Sequence, residues 1–270
     1  LISFPNAKIN LGLHVVAKRA DGYHDLETCF VPVNWCDILE IIESTHTRFE
    51  SSGISIPGDP ESNLCLQAYH LLQDDYDLPP VHIYLHKLIP VGAGLGGGSA
   101  DASFTLKLLN DLFELNLTPA RLEQYAARLG SDCPFFIRNE PVLAYRTGNE
   151  FCPVNVNLKG TQVVLVHPEI NISTREAYSG ITPAKPDCPL KKILETVPVD
   201  EWNRNVKNDF EPGIFSAKPQ LQDIKDQLYD VGAYYAAMSG SGSTIYGFFN
   251  STPEYLPFPG NYTVKVLQVQ

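Results

Sequence analysis

Positive charge is scarce in this chain. It has 20 Lys plus Arg against 31 Asp plus Glu, a formal net charge of -11 and a pI near 5.0. A protein that grips a nucleic acid polymer or an anionic membrane through its overall field should be basic, so neither is expected as a partner. A phosphorylated ligand would have to be held locally, against the global charge. Metal-binding cysteine patterns are missing too. The six cysteines, Cys29, Cys36, Cys65, Cys133, Cys152 and Cys188, form no CxxC pair and no Cys/His set with zinc-finger spacing. Scattered through 270 residues, they read as reduced thiols of a cytoplasmic protein. The start, Leu1-Ile2-Ser3-Phe4-Pro5, has no basic stretch leading into an apolar run, so no signal peptide is visible. Beginning at Leu1 without an initiator methionine points to a processed or trimmed start. There is no internal repeat and no low-complexity tract. N-x-S/T tripeptides at Asn116, Asn171, Asn250 and Asn261 are read as chance matches. Val231–Pro253 carries no charge, but it holds Ser239, Gly240, Ser241, Gly242, Ser243 and Thr244. It is therefore predicted as strand–turn–strand rather than a membrane helix.

What is present suffices for a core. Hydrophobic residues make up 44%, and the length allows one large domain or two modest ones. Lys8–Val16 alternates with Ile9, Leu11, Leu13 and Val15 on one face. Phe30–Val33, Asp37–Ile42 and Val81–Leu88 read as further strands. The last has Val81, Ile83 and Leu85 inward and His82, Tyr84 and His86 outward. Two histidines four apart would suit a shared metal on a helix, but the period here is two. Asp59–Asn63 starts a helix carrying Leu64, Ala68, Leu71 and Leu72. Ser99–Glu114 has Ala102, Leu106, Leu109, Leu112 and Phe113 at helical spacing. Thr118-Pro119 opens another helix that Gly130 ends. Gly148–Lys159 reads as a domain crossing. Beyond it lie a strand at Gln162–Val166, helices near Asp187–Thr196, Asp200–Lys207 and Pro219–Val231, and strands at Thr244–Phe249 and Tyr262–Val269. This mixture without strict alternation predicts an α+β architecture.

The most informative segment is Pro90-Val91-Gly92-Ala93-Gly94-Leu95-Gly96-Gly97-Gly98-Ser99-Ala100-Asp101. Five glycines in seven residues are entropically costly, and the usual return is close approach of backbone to a ligand. The loop runs into a predicted helix N-terminus, where amide groups and the dipole favour an anion. No Gly-Lys-Ser/Thr follows, so it is not a Walker A loop. Gly92, Gly94 and Gly97 do satisfy GxGxxG, which makes a dinucleotide-binding loop the first rival. The acidic residue wanted about twenty positions on is missing, however, because Glu114 ends a helix. The bland alternative is a packed or mobile glycine turn without a ligand.

Here the chain resembles the GHMP kinases, whose phosphate loop is Pro-x-Gly-x-Gly-Leu-Gly-Ser/Gly-Ser. Two further family motifs follow the right order: Pro5-Asn6-Ala7-Lys8-Ile9-Asn10-Leu11-Gly12-Leu13 and Met238-Ser239-Gly240-Ser241-Gly242-Ser243-Thr244. Within the family, Arg19–Leu26 and Gly130–Phe136 resemble the branch that phosphorylates the 2-hydroxyl of 4-diphosphocytidyl-2-C-methyl-D-erythritol, in the non-mevalonate route to isoprenoid precursors. The resemblance implies an ATP-dependent kinase requiring Mg²⁺, with a two-domain fold of mixed sheets and helices and the active site in the cleft between domains. The domains expected are 1–153, with the phosphate loop, and 154–270. Another small-alcohol kinase of the family, of homoserine or mevalonate type, is the alternative. A nucleotide-binding module that has lost catalysis is a third reading. The oligomeric state stays unassigned.

The resemblance also implies roles for individual residues. Asp132 matches the family's base and Lys8 its cationic partner. An ordinary carboxylate is too weak to ionise an alcohol in the ground state, but it can accept the proton late in a loose phosphoryl transfer. Taken alone, Asp132 would cap a helix and Lys8 would be a solvated strand residue. Pro90, Val91, Gly92, Ala93, Gly94, Leu95, Gly96, Gly97, Gly98, Ser99 and Ala100 are expected at the ATP phosphates. Lys87 and Asn63 are expected near the rest of the nucleotide, although Lys87 also reads as a strand-end surface lysine and Asn63 as a helix cap. Asn10, Tyr23, His24, Phe30 and Tyr178 match substrate positions; Tyr23 and Phe30 could equally be core residues. Asp101 reads as a carboxylate complementing the helix dipole and stays outside the site. No residue is assigned to a metal, and His14, His46, His70 and His167 are read as ordinary structural histidines.

Overall fold

The computed structural model describes residues 1–269, and its regular elements follow in the order β1 (Ile2–Ser3), β2 (Asn6–Lys18), β3 (His24–Cys36), β4 (Ile38–Glu43), β5 (Arg48–Gly53), α1 (Leu64–Tyr76), β6 (Val81–Lys87), α2 (Gly97–Leu112), α3 (Pro119–Leu129), α4 (Phe135–Arg138), β7 (Val142–Arg146), β8 (Glu150–Pro153), β9 (Gln162–His167), α5 (Thr174–Ser179), α6 (Leu190–Thr196), α7 (Trp202–Asn205), α8 (Glu211–Ala217), α9 (Pro219–Asp230), β10 (Tyr235–Met238), β11 (Ile245–Phe249) and β12 (Thr263–Gln268). The strands form three four-stranded sheets, in the orders β1-β4-β6-β5, β2-β3-β7-β8 and β10-β11-β9-β12. This is the mixed α/β architecture the sequence predicts. Among the described residues no helix is long and apolar enough to cross a membrane.

Two compact units result. The first takes Leu1–Ala7, Trp35–Val91 and Gly96–Glu140; the second takes Lys8–Asn34, Gly92–Leu95 and the chain from Pro141 onward. Units drawn by compactness interleave along the chain and are a different division from the sequence halves at 153/154. Gln270, the last residue of the expected second half, lies outside the described residues.

In the first unit the period-two pattern sets the register. Leu39 pairs with Leu85 and Ile41 with Ile83, all inward, while Ile38 pairs with His86 and Ile42 with His82 on the outer face. The inner face meets α1 and α2 through Ala68, Tyr69, Leu72, Ala102, Leu106 and Leu109, all fully buried. Burying each leucine fully contributes about 1.5–3 kcal/mol. Local chemistry fixes the helix ends. Asn63 accepts from the Cys65 amide at 2.9 Å and starts α1. Thr118 accepts from the Arg121 amide at 3.3 Å, with Pro119 in the first turn of α3.

The second unit holds the other two sheets. In β9, Val163, Val164, Leu165 and Val166 are all buried, which is why the strand reads as a continuous apolar run rather than alternating. Leu221, Ile224 and Leu228 of α9 cover this sheet at helical spacing. The uncharged run folds as expected, β10 pairing antiparallel with β11.

Three expectations are corrected. The helix after the glycine loop starts at Gly97, not Ser99, because Gly96 takes the left-handed cap conformation (φ +69°). Gly148–Lys159 is not a simple crossing, since Glu150–Pro153 is strand β8, with Leu143 opposite Cys152. The predicted helix at Asp200–Lys207 is only a 3₁₀ turn at Val199–Glu201 followed by the single turn of α7.

Candidate active site

Strand β2 delivers Lys8 and Asn10 with two residues' separation, so both side chains emerge on one face. Lys8 is buried, at 4% exposure, which overturns the solvated-strand reading. Its Nζ donates to Asn10 Oδ1 at 2.5 Å and to the Gly94 carbonyl at 3.2 Å, and lies 4.9 Å from the centre of the Phe30 ring. Asn10 Nδ2 donates to Thr28 Oγ1 at 3.0 Å, which orients the amide oxygen toward the ammonium.

The third motif closes around the same carbonyl. Ser239 Oγ donates to the Gly94 carbonyl at 2.8 Å and accepts from the Asn10 amide at 3.2 Å. The Lys8 amide donates to the Leu95 carbonyl at 2.9 Å, and the Thr244 amide to the Ala93 carbonyl at 3.2 Å. Gly94 has φ +79°, and a Cβ there would stand 2.0 Å from the Ser239 carbonyl oxygen. No other residue fits so close a backbone approach. Asn208, whose part the sequence did not signal, donates to the Met238 and Gly240 carbonyls at 2.8 Å each and steadies the third motif.

The rest of the loop enters the 16-residue helix α2. No side chain caps α2. Its first-turn amides, Gly97 to Ser99, therefore lack both intrahelical and side-chain acceptors, and the positive end of the dipole adds to them. Such a terminus suits phosphate oxygens.

Asp132 is half-buried in the turn Ser131–Pro134 that joins α3 to α4. The cap position of α4 is Pro134, so the helix-cap reading of Asp132 does not hold. Next to it, Cys133 is buried and its carbonyl accepts from Ser103 Oγ at 2.7 Å, which ties the turn to α2.

The remaining candidates separate. Lys87 is not a surface residue. Its ammonium is 2% exposed, 2.5 Å from Asp37 Oδ2 and 2.7 Å from Asp101 Oδ2. Burial alone would lower its pKa, and the two carboxylates more than offset that, so it ends above the ordinary lysine value. Asn63 is the cap of α1. Phe30 is 2% exposed and is a core residue as well as a neighbour of Lys8, whereas Tyr23 is 65% exposed. His24 stacks on Tyr178 with ring centres 4.5 Å apart and planes at 20°, and Tyr178 meets Phe210 edge-on at 4.9 Å.

These features define a class. The model for the GHMP kinases N terminal domain matches residues 63–140 and that for the GHMP kinases C terminal matches 198–254. A protein of Cytophaga hutchinsonii described as 4-diphosphocytidyl-2-C-methyl-D-erythritol kinase is 54% identical over 255 residues, 94% of each chain. A crystal structure of 4-(cytidine 5'-diphospho)-2C-methyl-D-erythritol kinase superposes with a TM-score of 0.81 at 28% identity, covering 99% of both chains. The mevalonate kinase of Methanococcus jannaschii shares the fold, with a TM-score of 0.73 at 13% identity, 100% of this chain and 98% of that one. The chain belongs to the 4-diphosphocytidyl-2-C-methyl-D-erythritol kinase family within the GHMP kinases.

Proposed function

We propose that the chain transfers the γ-phosphoryl group of ATP to the 2-hydroxyl of 4-diphosphocytidyl-2-C-methyl-D-erythritol, a step in the non-mevalonate route to isoprenoid precursors. The observation that carries this is the 54% identity across 94% of both chains. The geometry agrees with it. Phosphoryl transfer asks for positioning and charge neutralisation more than for covalent chemistry. The α2 terminus and Gly92–Gly98 offer backbone amides to the phosphates, so no basic patch is needed in an acidic protein. Lys8 stabilises charge on the transferring group and eases deprotonation of the alcohol, and Asp132 receives its proton as the new oxygen–phosphorus bond forms. Tyr23, His24 and Tyr178 hold the cytidine, their rings stacking on the base. Asn10 holds Lys8 and contacts the acceptor. The protein works in the cytoplasm.

Magnesium enters with ATP. Among the described residues there is no group of three His, Cys, Asp or Glu able to hold an ion. At the loop end, Ser99 Oγ is a hard oxygen that could join phosphate oxygens and water around such a cation. Bound there, Mg²⁺ would neutralise charge on the phosphate oxygens.

Coupled ADP release against a panel of acceptors tests the reading. Turnover with the cytidylated methylerythritol and not with homoserine or mevalonate is expected. Preference for either small alcohol would move the chain to the alternative kinase type, and ATP binding without turnover on any alcohol would make it a binding module.

A further inference from the structure

The buried ion cluster at Lys87 is tied to both ends of the phosphate loop. Asp37 Oδ1 accepts from the amides of Leu88 and Ile89, at 2.6 and 2.8 Å, where the chain leaves β6 toward Pro90. Asp37 Oδ2 takes Lys87 Nζ, and the same ammonium reaches Asp101 in α2. Gly97 lies directly over it, since a Cβ there would stand 2.9 Å from Lys87 Nζ and 2.9 Å from the Ile89 side chain. A side chain at Gly97 would collide with both, so glycine lets the first turn of α2 settle onto the lysine. All three charged groups are at most 3% exposed. None faces solvent, so the ammonium is spent inside the protein.

Two carboxylates share one cation, and Asp101 Oδ1 accepts no hydrogen bond. Burial pushes the Asp101 carboxyl up to about 7 despite Lys87, with Asp37 adding to the rise. A proton on Asp101 leaves the cluster neutral. The Cys65 thiol of α1 is the other titratable group facing it. Removing one partner of such a cluster leaves a buried charge unbalanced.

We propose that Asp37, Lys87 and Asp101 are positioning residues of the phosphate loop, a buried clamp that fixes the strand end from which the loop leaves and the helix start on which it lands. Its use in ATP binding rests on the reading of the loop given above. Hydrogen exchange on the full chain without nucleotide tests the clamp, and calorimetric titration with ATP and Mg²⁺ tests its use. Asp37→Asn should speed exchange about tenfold at Leu88, Ile89 and Ala100–Ser103, leave β9 unchanged, and weaken ATP binding about tenfold, the scale of one lost charge-assisted hydrogen bond. Asp101→Ala, which removes both oxygens, should loosen Ala100–Ser103 alone. Wild-type exchange at Ala100–Ser103 in Asp37→Asn, or equal loosening of β9, would overturn the clamp. If Asp37→Asn does not fold, wild-type exchange at Ala100–Ser103 in Asp101→Ala overturns it. A wild-type chain that binds no ATP would instead refute the functional reading, with the exchange data still deciding the clamp.

Discussion

Two buried lysines, one in each compact unit, stand in different surroundings. Lys87 sits between two carboxylates, and its charge is cancelled where it stands. Lys8 Nζ donates to the neutral oxygens of Asn10 and Gly94 and lies 4.9 Å from the centre of the Phe30 ring. At nearly equal burial, Lys87 stands among the carboxylates that hold the strand end, and Lys8 stands against the glycine loop itself. The carboxylates divide likewise. Asp37 and Asp101 are sealed into the core, and Asp132 is half-buried on a turn.

The largest expected effect comes from breaking the Lys8 side. Gly94→Ala puts a methyl group 2.0 Å from the Ser239 carbonyl at a φ of +79°. Turnover should fall below detection and thermal unfolding should come earlier; an active, equally stable variant would mean the motifs do not meet as described. Asp132→Asn should lower kcat by about 10²–10⁴ while ATP affinity stays within about threefold. A matching loss of ATP affinity would class Asp132 with the holding carboxylates. Tyr23→Ala should raise KM for the cytidylated acceptor about tenfold, as expected for one lost stacking face, with ATP KM unmoved. Equal effects on both would displace the cytidine from this turn.

The smallest effect concerns the scaffold. A carboxyl whose folded pKa lies above its ordinary value binds a proton more tightly in the folded chain, so its contribution declines as pH rises from about 4 to about 7. Asp101→Asn removes that decline. The melting temperature of the variant minus that of wild type should therefore climb steadily across the window. A flat difference would show that Asp101 is ionised throughout.

How much was legible follows from distance along the chain. The glycine loop announces itself through local composition, Lys8, Asn10 and the 238–244 motif through resemblance to the GHMP kinases, and the helix caps at Asn63 and Thr118 through local chemistry. Asp37 and Asp101 did not, because they meet Lys87 across 50 and 14 residues and neither carries a local mark. Strand β5 went unread because Arg48–Gly53 is mostly polar and pairs in parallel with β6 after a long excursion. The interleaving of the units is likewise a product of long-range pairing. At Lys87 and Phe30 the family resemblance named a nucleotide position and a substrate position, while burial shows one ammonium turned inward and one ring in the core.

The contrast between the two lysines rests most directly on Lys8→Met, assayed for kcat and for ATP affinity in the same preparation. A fall in kcat of about 10²–10³ with ATP affinity within about threefold of wild type is expected of a group that stabilises the transferring phosphoryl. Near-normal turnover would contradict it and leave Lys8, like Lys87, a part of the scaffold.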